Sequence, residues 1–313
     1  MKDIWIADGH CDTLTHLLDR PCTIEDQRNH INIYRLKKGD VRLQFFAAWI
    51  GPRQKYGPPL QRGLRLIDSF GSMISDYSDA FLPILSYSDI KSLGKNQIGA
   101  LLTVEGGAIL EGELANLRIL YNLGVRLMTL TWNHRNEICD GIMETKSQSG
   151  LSDFGSLVVK EMNRLHMIID VSHISTKGFW DVLEISKAPI IASHSNAKSI
   201  CAHPRNLDDD QILALASTEG LIGINFFPNF LSENKAGIVD IIRHIEYIAG
   251  LGGIDTVGFG SDFDGIERLP EGIEGPQDYD KIIDELLRLN YTETDIKKIC
   301  SGNFVRIIKE VVE

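Results

Sequence analysis

The sequence predicts an α/β chain closed into a (β/α)8 barrel of the metal-dependent hydrolase type, on three observations. Eight apolar runs ending in Gly, Asp, Asn, Glu or His read as strands, at about residues 3–10, 41–50, 97–105, 125–132, 166–173, 189–194, 220–227 and 256–262. Helical patterns fall between them, and strand–helix alternation is the signature of a parallel sheet covered by helices. The long polar, Gly- and Pro-rich stretches at 51–62, 133–150, 227–236 and 263–277 all follow strands. In a barrel they gather on the C-terminal face, where active sites sit. A doubly wound open sheet is the alternative with the same alternation.

Most of the runs are continuously apolar, as in Gly99-Ala100-Leu101-Leu102-Thr103-Val104, which suits strands buried on both faces. Residues 62–76 place Leu64, Ile67, Phe70, Met73 and Ile74 at helical spacing. Residues 111–123 do the same with Leu114, Leu117, Ile119 and Leu120, and Gly124 stops them. Ser152-Asp153-Phe154-Gly155 opens a helix to about Leu165. Asp208-Asp209-Asp210 puts acidic side chains at the start of the next, where the helix dipole favours them. Helices over 237–251 and 278–289 follow, and 292–311 reads as a C-terminal helix. No linker or repeat interrupts the series, so 1–313 reads as a single barrel domain.

The net charge of −11, with no Lys/Arg cluster, argues against nucleic acid or an anionic membrane as partner. No apolar stretch approaches the ~20 residues of a membrane helix. Met1-Lys2-Asp3 leads straight into the first apolar run, without the succession of a secretory leader. Five scattered cysteines form no Cys-x-x-Cys pair, which is the pattern of a reduced, cytoplasmic setting.

Candidate ligands end the strands. His10 and Asp12 close the first, in Asp8-Gly9-His10-Cys11-Asp12; alternation turns Asp8, His10 and Asp12 to one face and Cys11 to the other. Glu105 ends the third strand, His173 the fifth, His194 the sixth and Asp262 the eighth. If the barrel closes, all converge on one rim. Six such groups exceed one tetrahedral zinc and suit two metals sharing a bridging carboxylate. Each has a plainer reading: a strand-end His as a hydrogen-bonded structural residue, Glu105 as a carboxylate at a helix start, Asp262 and Asp264 as turn residues before Gly265. His134 after the fourth strand either faces the rim or sits in a solvated loop. Arg205, in His203-Pro204-Arg205-Asn206, either holds a carboxylate or forms a surface ion pair. Asp8 reads as a partner beneath the metals or as a structural acceptor.

These motifs together resemble the membrane (renal) dipeptidase family of zinc peptidases. The matching segments are Asp8–Thr13, Glu105-Gly106-Gly107, Asp170-Val171-Ser172-His173-Ile174-Ser175, Ser193-His194-Ser195-Asn196-Ala197, His203-Pro204-Arg205-Asn206-Leu207 and Gly260-Ser261-Asp262-Phe263-Asp264-Gly265, in the family's order. The resemblance implies two zinc ions in a (β/α)8 barrel. His10 and Asp12 would hold one, His173 and His194 the other, with Glu105 bridging. It implies that His134 contacts substrate and stabilises the oxyanion, that Arg205 binds the substrate carboxylate, and that Asp262 transfers protons. A hydroxide bridging the zincs would attack the peptide bond of a dipeptide, with a C-terminal D-residue tolerated. The family also implies a homodimer. Without a leader or anchor the chain is similar to the bacterial cytoplasmic branch, and Asn225-Phe226-Phe227 lacks a tyrosine expected in animal members. The same ligand set would also serve a binuclear amidohydrolase of N-acyl amino acids or cyclic amides. A non-catalytic binding protein would have lost a ligand or Asp262, and neither is missing.

Overall fold

The computed structural model describes residues 4–147 and 149–312. Met1 to Asp3, Gln148 and Glu313, which fall at the edges of the expected first strand, within the 133–150 stretch and at the end of the expected domain, lie outside the described residues. Among those described, nine strands follow in order: β1 (Ile6–Cys11), β2 (Val41–Trp49), β3 (Phe81–Pro83), β4 (Ile98–Glu105), β5 (Leu127–Thr129), β6 (Ile168–Asp170), β7 (Ile191–Ala192), β8 (Leu221–Ile224) and β9 (Val257–Phe259). Eight of them close a parallel ring, β1-β2-β4-β5-β6-β7-β8-β9 and back to β1. The expected (β/α)8 barrel is therefore the fold, and the open sheet is excluded by the β2–β4 and β1–β9 pairings.

The strand missed in the sequence is β3. It pairs with β4 only at Ile98–Ala100, below the level where β5 takes over at Thr103. Three residues ending in proline carry neither the length nor the donors of a readable strand. The ladders of β5 to β9 are shorter than their apolar runs. The polar residues that end those runs thus stand just past the last paired residue, at the barrel's upper rim.

Helices cover the outside, among them Pro59–Asp76, Leu114–Asn122, Asp153–Arg164, Thr176–Ile185, Asp209–Ser217, Ile238–Gly252 and Tyr279–Arg288. Two expected starts are capped as read. Ser152 Oγ accepts from Gly155 N at 2.9 Å, and Asp208 and Gln211 bond each other's backbone N–H in a capping box. Within Pro59–Asp76 the buried face is Leu66, Ile67, Phe70 and Met73, while Leu64 is turned to solvent. Thr176–Ile185 escaped the sequence reading because Gly178 interrupts its first turn. A Cβ there would lie 2.3 Å from Cys139 Sγ, so close packing, not flexibility, selects the glycine. No helix among the described residues is long and apolar enough to cross a membrane.

The C-terminal segment departs from one straight helix. It runs as Glu293–Lys297, a π-helical turn at Lys298–Gly302, and Asn303–Val311. The turn seats Asn303, whose Nδ2 bonds the carbonyls of Ile254 and Val257 at 2.7 Å each. Beyond it, Phe304, Ile307, Ile308 and Val311 join Ala7, Leu43, Leu101, Leu127, Ile168, Ile191 and Leu221 in one inner core. This last helix is a plug in the lower mouth of the barrel. Gly9 and Gly258 make room for it: Cβ atoms there would lie 2.3 and 2.8 Å from the Phe304 ring.

Burying Phe304 closes the barrel at the end opposite the site. Phe304→Ala is expected to cost about 3–5 kcal/mol of stability, read as a lower urea midpoint. An unchanged midpoint would mean the plug is not part of the cooperative core.

Candidate metal centre

The six strand-end groups meet. Glu105 is the centre: its Oε2 lies 3.5 Å from His10 Nε2, and its Oε1 lies 3.1 Å from His173 Nε2 and 3.6 Å from His194 Nε2. Asp12 Oδ2 and Asp262 Oδ1 each stand 3.8 Å from His10 Nε2. The Nε2 atoms of His173 and His194 face one another at 2.9 Å, and the rings of His10 and His194 stack at 3.9 Å. Two sets of three ligand-type atoms lie within 4.8 Å of one another, His10–Glu105–His194 and His10–Asp12–Asp262.

Local backbone makes this convergence possible. From Asp8 to Cys11 β1 takes three steps while its partner takes two, from Gln44 to Phe46. That bulge shifts the alternation by one residue. Ile6 and Cys11 both pack in the outer core although Ala7 packs in the inner one. His10 and Asp12 face the site with Cys11 turned away, as expected. Asp8 does not share their face, contrary to strict alternation; its carboxylate meets Tyr279 and Ser261 instead. His173 (φ 67°), Asp262 (φ 64°) and Asp264 (φ 65°) adopt left-handed backbone, which costs on the order of 1 kcal/mol or more per residue and recurs at functional sites.

The residues present fit a divalent cation. Both ring nitrogens of His10 and Oδ1 of Asp12 are buried with no hydrogen-bond partner among the described residues. Ligand atoms around a tetrahedral ion at ~2.1 Å sit about 3.4 Å apart, and the contacts above bracket that spacing. Imidazole and carboxylate together suit zinc or a similar ion.

The protein's own charges are balanced against burial. Burial alone would depress His10, but Glu105 and Asp12 outweigh it and hold the imidazole well above its ordinary basicity. Burial would raise Glu105; His10 and His173 instead keep it well below the carboxylate range. Burial, then the Glu105 charge, pushes Asp12 up to about 6. Burial, with Asp12 and Glu105 adding to it against the pull of His10, pushes Asp262 up to about 7. His173 falls to about 4 and His194 well below its usual value, first from burial and then from neighbouring cations, Arg205 among them.

A cavity of about 480 Å³ opens over the cluster. Its walls include Asp12, Glu105, His173, Asp262 and Arg205, with Trp49, Trp132, Met143, Phe227 and Phe230 as apolar surface. Arg205 is buried, not a surface ion pair. Its guanidinium bonds His194 O at 2.8 Å and Ser195 Oγ at 3.2 Å, and its Nε has no partner among the described residues. His134 is not brought into this cavity. Its side chain is 68% exposed, its Nδ1 lies 3.3 Å from Glu144, and it lines a separate pocket of about 240 Å³ on the far side of Trp132. Sequence reasoning missed Asn133, which bonds His173 Nδ1 at 2.8 Å, and Asn225, which donates to Asp262 Oδ2 at 3.0 Å. A lone Asn in a loop carries no signal of either role.

The chain is similar to known proteins along its whole length. The family described as membrane dipeptidase (peptidase family M19) matches residues 1–313. A dipeptidase of Aspergillus oryzae, aclJ, is 30% identical over 98% of this chain and 78% of its own length. The solved dipeptidase AC, a metallopeptidase of family M19, is 27% identical with a TM-score of 0.91, covering 99% of both chains. A metallopeptidase from Rhodobacter sphaeroides, solved with a phosphinate mimic of L-Ala-D-Ala, is 25% identical with a TM-score of 0.91, covering 98% of this chain and 99% of that one.

If His10 and Asp12 hold a cation, its binding displaces their protons, because ligands bind deprotonated. Zinc affinity, measured by chelator competition, is expected to weaken at least roughly tenfold from pH 8 to pH 6, since Asp12 titrates at about 6 and His10 above its usual range. A pH-independent affinity would remove both from the ligand set.

Proposed function

The chain belongs to the membrane dipeptidase family, whose members are metal-dependent dipeptidases, and from that premise we propose that it hydrolyses dipeptides, including those ending in a D-residue, with two zinc ions. The observation that carries this reading is the position of Glu105. Its two oxygens point to different histidines, Oε2 to His10 and Oε1 to His173 and His194. His10 and Asp12 would hold one ion and His173 and His194 a second, with Glu105 within reach of both sets. The phosphinate of an L,D dipeptide in the Rhodobacter sphaeroides relative supports the stereochemistry.

Held by these residues, zinc would acidify a water toward neutrality and polarise the scissile carbonyl. The chain's own residues supply the rest. Arg205, fixed through His194 O and Ser195 Oγ, pairs with the free C-terminal carboxylate and so selects length. Asp262 is placed to take and return a proton: burial, with Asp12 and Glu105 adding to it against the pull of His10, raises its carboxyl to about 7 in the metal-free site. Asn225 fixes Asp262 Oδ2 and leaves Oδ1 toward His10. Trp49, Trp132, Phe227 and Phe230 exclude water around a small substrate. His134 carries its oxyanion role if substrate draws its loop across Trp132.

A panel of L,L and L,D dipeptides, their C-terminal amides and N-acetyl amino acids tests the reading. Hydrolysis of the dipeptides, lost on chelation and on amidation, is expected. Cleavage of N-acetyl amino acids alone would transfer the site to the amidohydrolase reading. Asp262→Asn is expected to lower kcat by about 10²–10⁴ with both zincs retained by metal analysis; loss of zinc would make Asp262 a ligand. His134→Ala with unchanged kcat would leave His134 outside the reaction.

A further inference from the structure

Two buried aspartates outside the ligand set repeat one hydrogen-bond pattern. Asp8 in β1 pairs with Phe259 of β9, and Ser261 stands two residues past that partner. Asp170 in β6 pairs with Ile191 of β7, and Ser193 stands two residues past it. Each carboxylate accepts the backbone N–H two residues ahead on its own chain: His10 at 3.1 Å for Asp8, Ser172 at 2.9 Å for Asp170. Each accepts the N–H of its serine, at 3.1 Å from Ser261 and 2.9 Å from Ser193. Each accepts that serine's hydroxyl and one hydroxyl from a third element, Tyr279 or Thr129. Four donors fill the four lone pairs of a carboxylate. The residues that follow the two serines are Asp262 and His194, both in the metal centre.

The two arrangements differ at one atom. Ser193 Oγ lies 2.6 Å from Asp170 Oδ2 and 2.7 Å from His194 Nδ1. A hydroxyl has a single proton, and the saturated Asp170 carboxylate can only accept. The serine proton therefore goes to Asp170, and the serine oxygen accepts from His194 Nδ1–H. His194 Nε2 is left as a lone pair, aimed at Glu105 and His173. Asp8 has no such extension. It fixes the backbone only, where Asp262 N in turn donates to His10 O at 3.2 Å.

We propose that Asp8 and Asp170 are paired positioning residues, one carboxylate–serine clamp used on each side of the metal centre, and that the Asp170 clamp also sets the tautomer of His194 through Ser193. The consequence for metal binding rests on the reading of His194 as a zinc ligand; the tautomer itself does not. A neutral imidazole presents a lone pair at only one nitrogen, and the hydrogen bond at the other decides which. In Asp170→Asn the new amide donates to Ser193 Oγ. The serine proton turns to His194 Nδ1, and the imidazole proton moves to Nε2, where it blocks the ligand lone pair.

The experiment is ¹⁵N NMR of the full-length, histidine-labelled protein stripped of metal, with His194 assigned by its loss in His194→Gln, followed by zinc titration. The wild type is expected to show His194 protonated at Nδ1. Asp170→Asn is expected to show it protonated at Nε2, with zinc affinity reduced roughly 10- to 100-fold. Asp8→Asn removes an equivalent carboxylate and is expected to leave the His194 signals where they were. Should Asp170→Asn not fold, Ser193→Ala serves, with His194 expected to become a mixture of tautomers. Unchanged His194 signals in both variants, or a shift equally produced by Asp8→Asn, overturn the relay. A tautomer change with unaltered zinc affinity overturns its positioning role. A wild-type protein with the expected tautomer that binds no zinc overturns the metal reading and supports the relay alone.

Discussion

Everything at the upper rim of this barrel follows from crowding three imidazoles and three carboxylates into one buried point. His10, Asp12, Glu105, His173, His194 and Asp262 approach one another to between 2.9 and 3.8 Å. Isolated buried charges are expensive, and like charges brought together are more so. A divalent cation would offset both costs at once, and the His10 and Asp12 atoms without a hydrogen-bond partner among the described residues are where it would act. The six groups come from five strand ends, His10 and Asp12 sharing the first, so no local segment could assemble the site. Closure of the ring is what gives it geometry.

The barrel architecture and the convergence of the strand-end groups were legible in the sequence because both depend on short-range pattern. Apolar runs with polar ends place His10, Glu105, His173, His194 and Asp262 at one level once eight strands are counted. What escaped depends on long-range contact. β3 exists only because the lower edge of β4 is open below β5. The bulge that turns Asp8 away from His10 is a property of the β1–β2 pairing, and no residue of β1 announces it. His173 and Asp262 take left-handed backbone, where glycine is the ordinary choice and neither residue type announces it. Asn133, Asn225 and Tyr279 act across the chain on His173, Asp262 and Asp8, and their identity is unremarkable in sequence.

Stability and chemistry are placed at opposite ends. The lower mouth is filled by Phe304, Ile307, Ile308 and Val311 against one inward residue from nearly every strand. The upper rim holds polar groups, strained backbone and a cavity. Strain of this kind persists only where the surroundings over-determine it. The carboxylate–serine arrangements at Asp8 and Asp170 supply that over-determination directly beneath the ligands, and the plug supplies rigidity beneath them in turn.

The loop after β9 shows how tightly the two requirements are joined. Asp264 is held in left-handed backbone by three donors, Thr13 Oγ1 at 2.8 Å, His30 N at 2.6 Å and Ile31 N at 3.3 Å. These bonds tie the 29–32 segment and the start of the first helix to the same turn that carries Asp262. At the next residue, Gly265, a side chain would push two carboxylates aside. A Cβ there would lie 2.3 Å from both Asp12 Oδ2 and Asp262 Oδ1. Read from sequence, Asp264-Gly265 is an ordinary turn pair. In the folded chain the aspartate anchors the turn, and the glycine leaves room for two carboxylates beside His10 Nε2. The turn chemistry and the site chemistry are the same constraint seen from two sides.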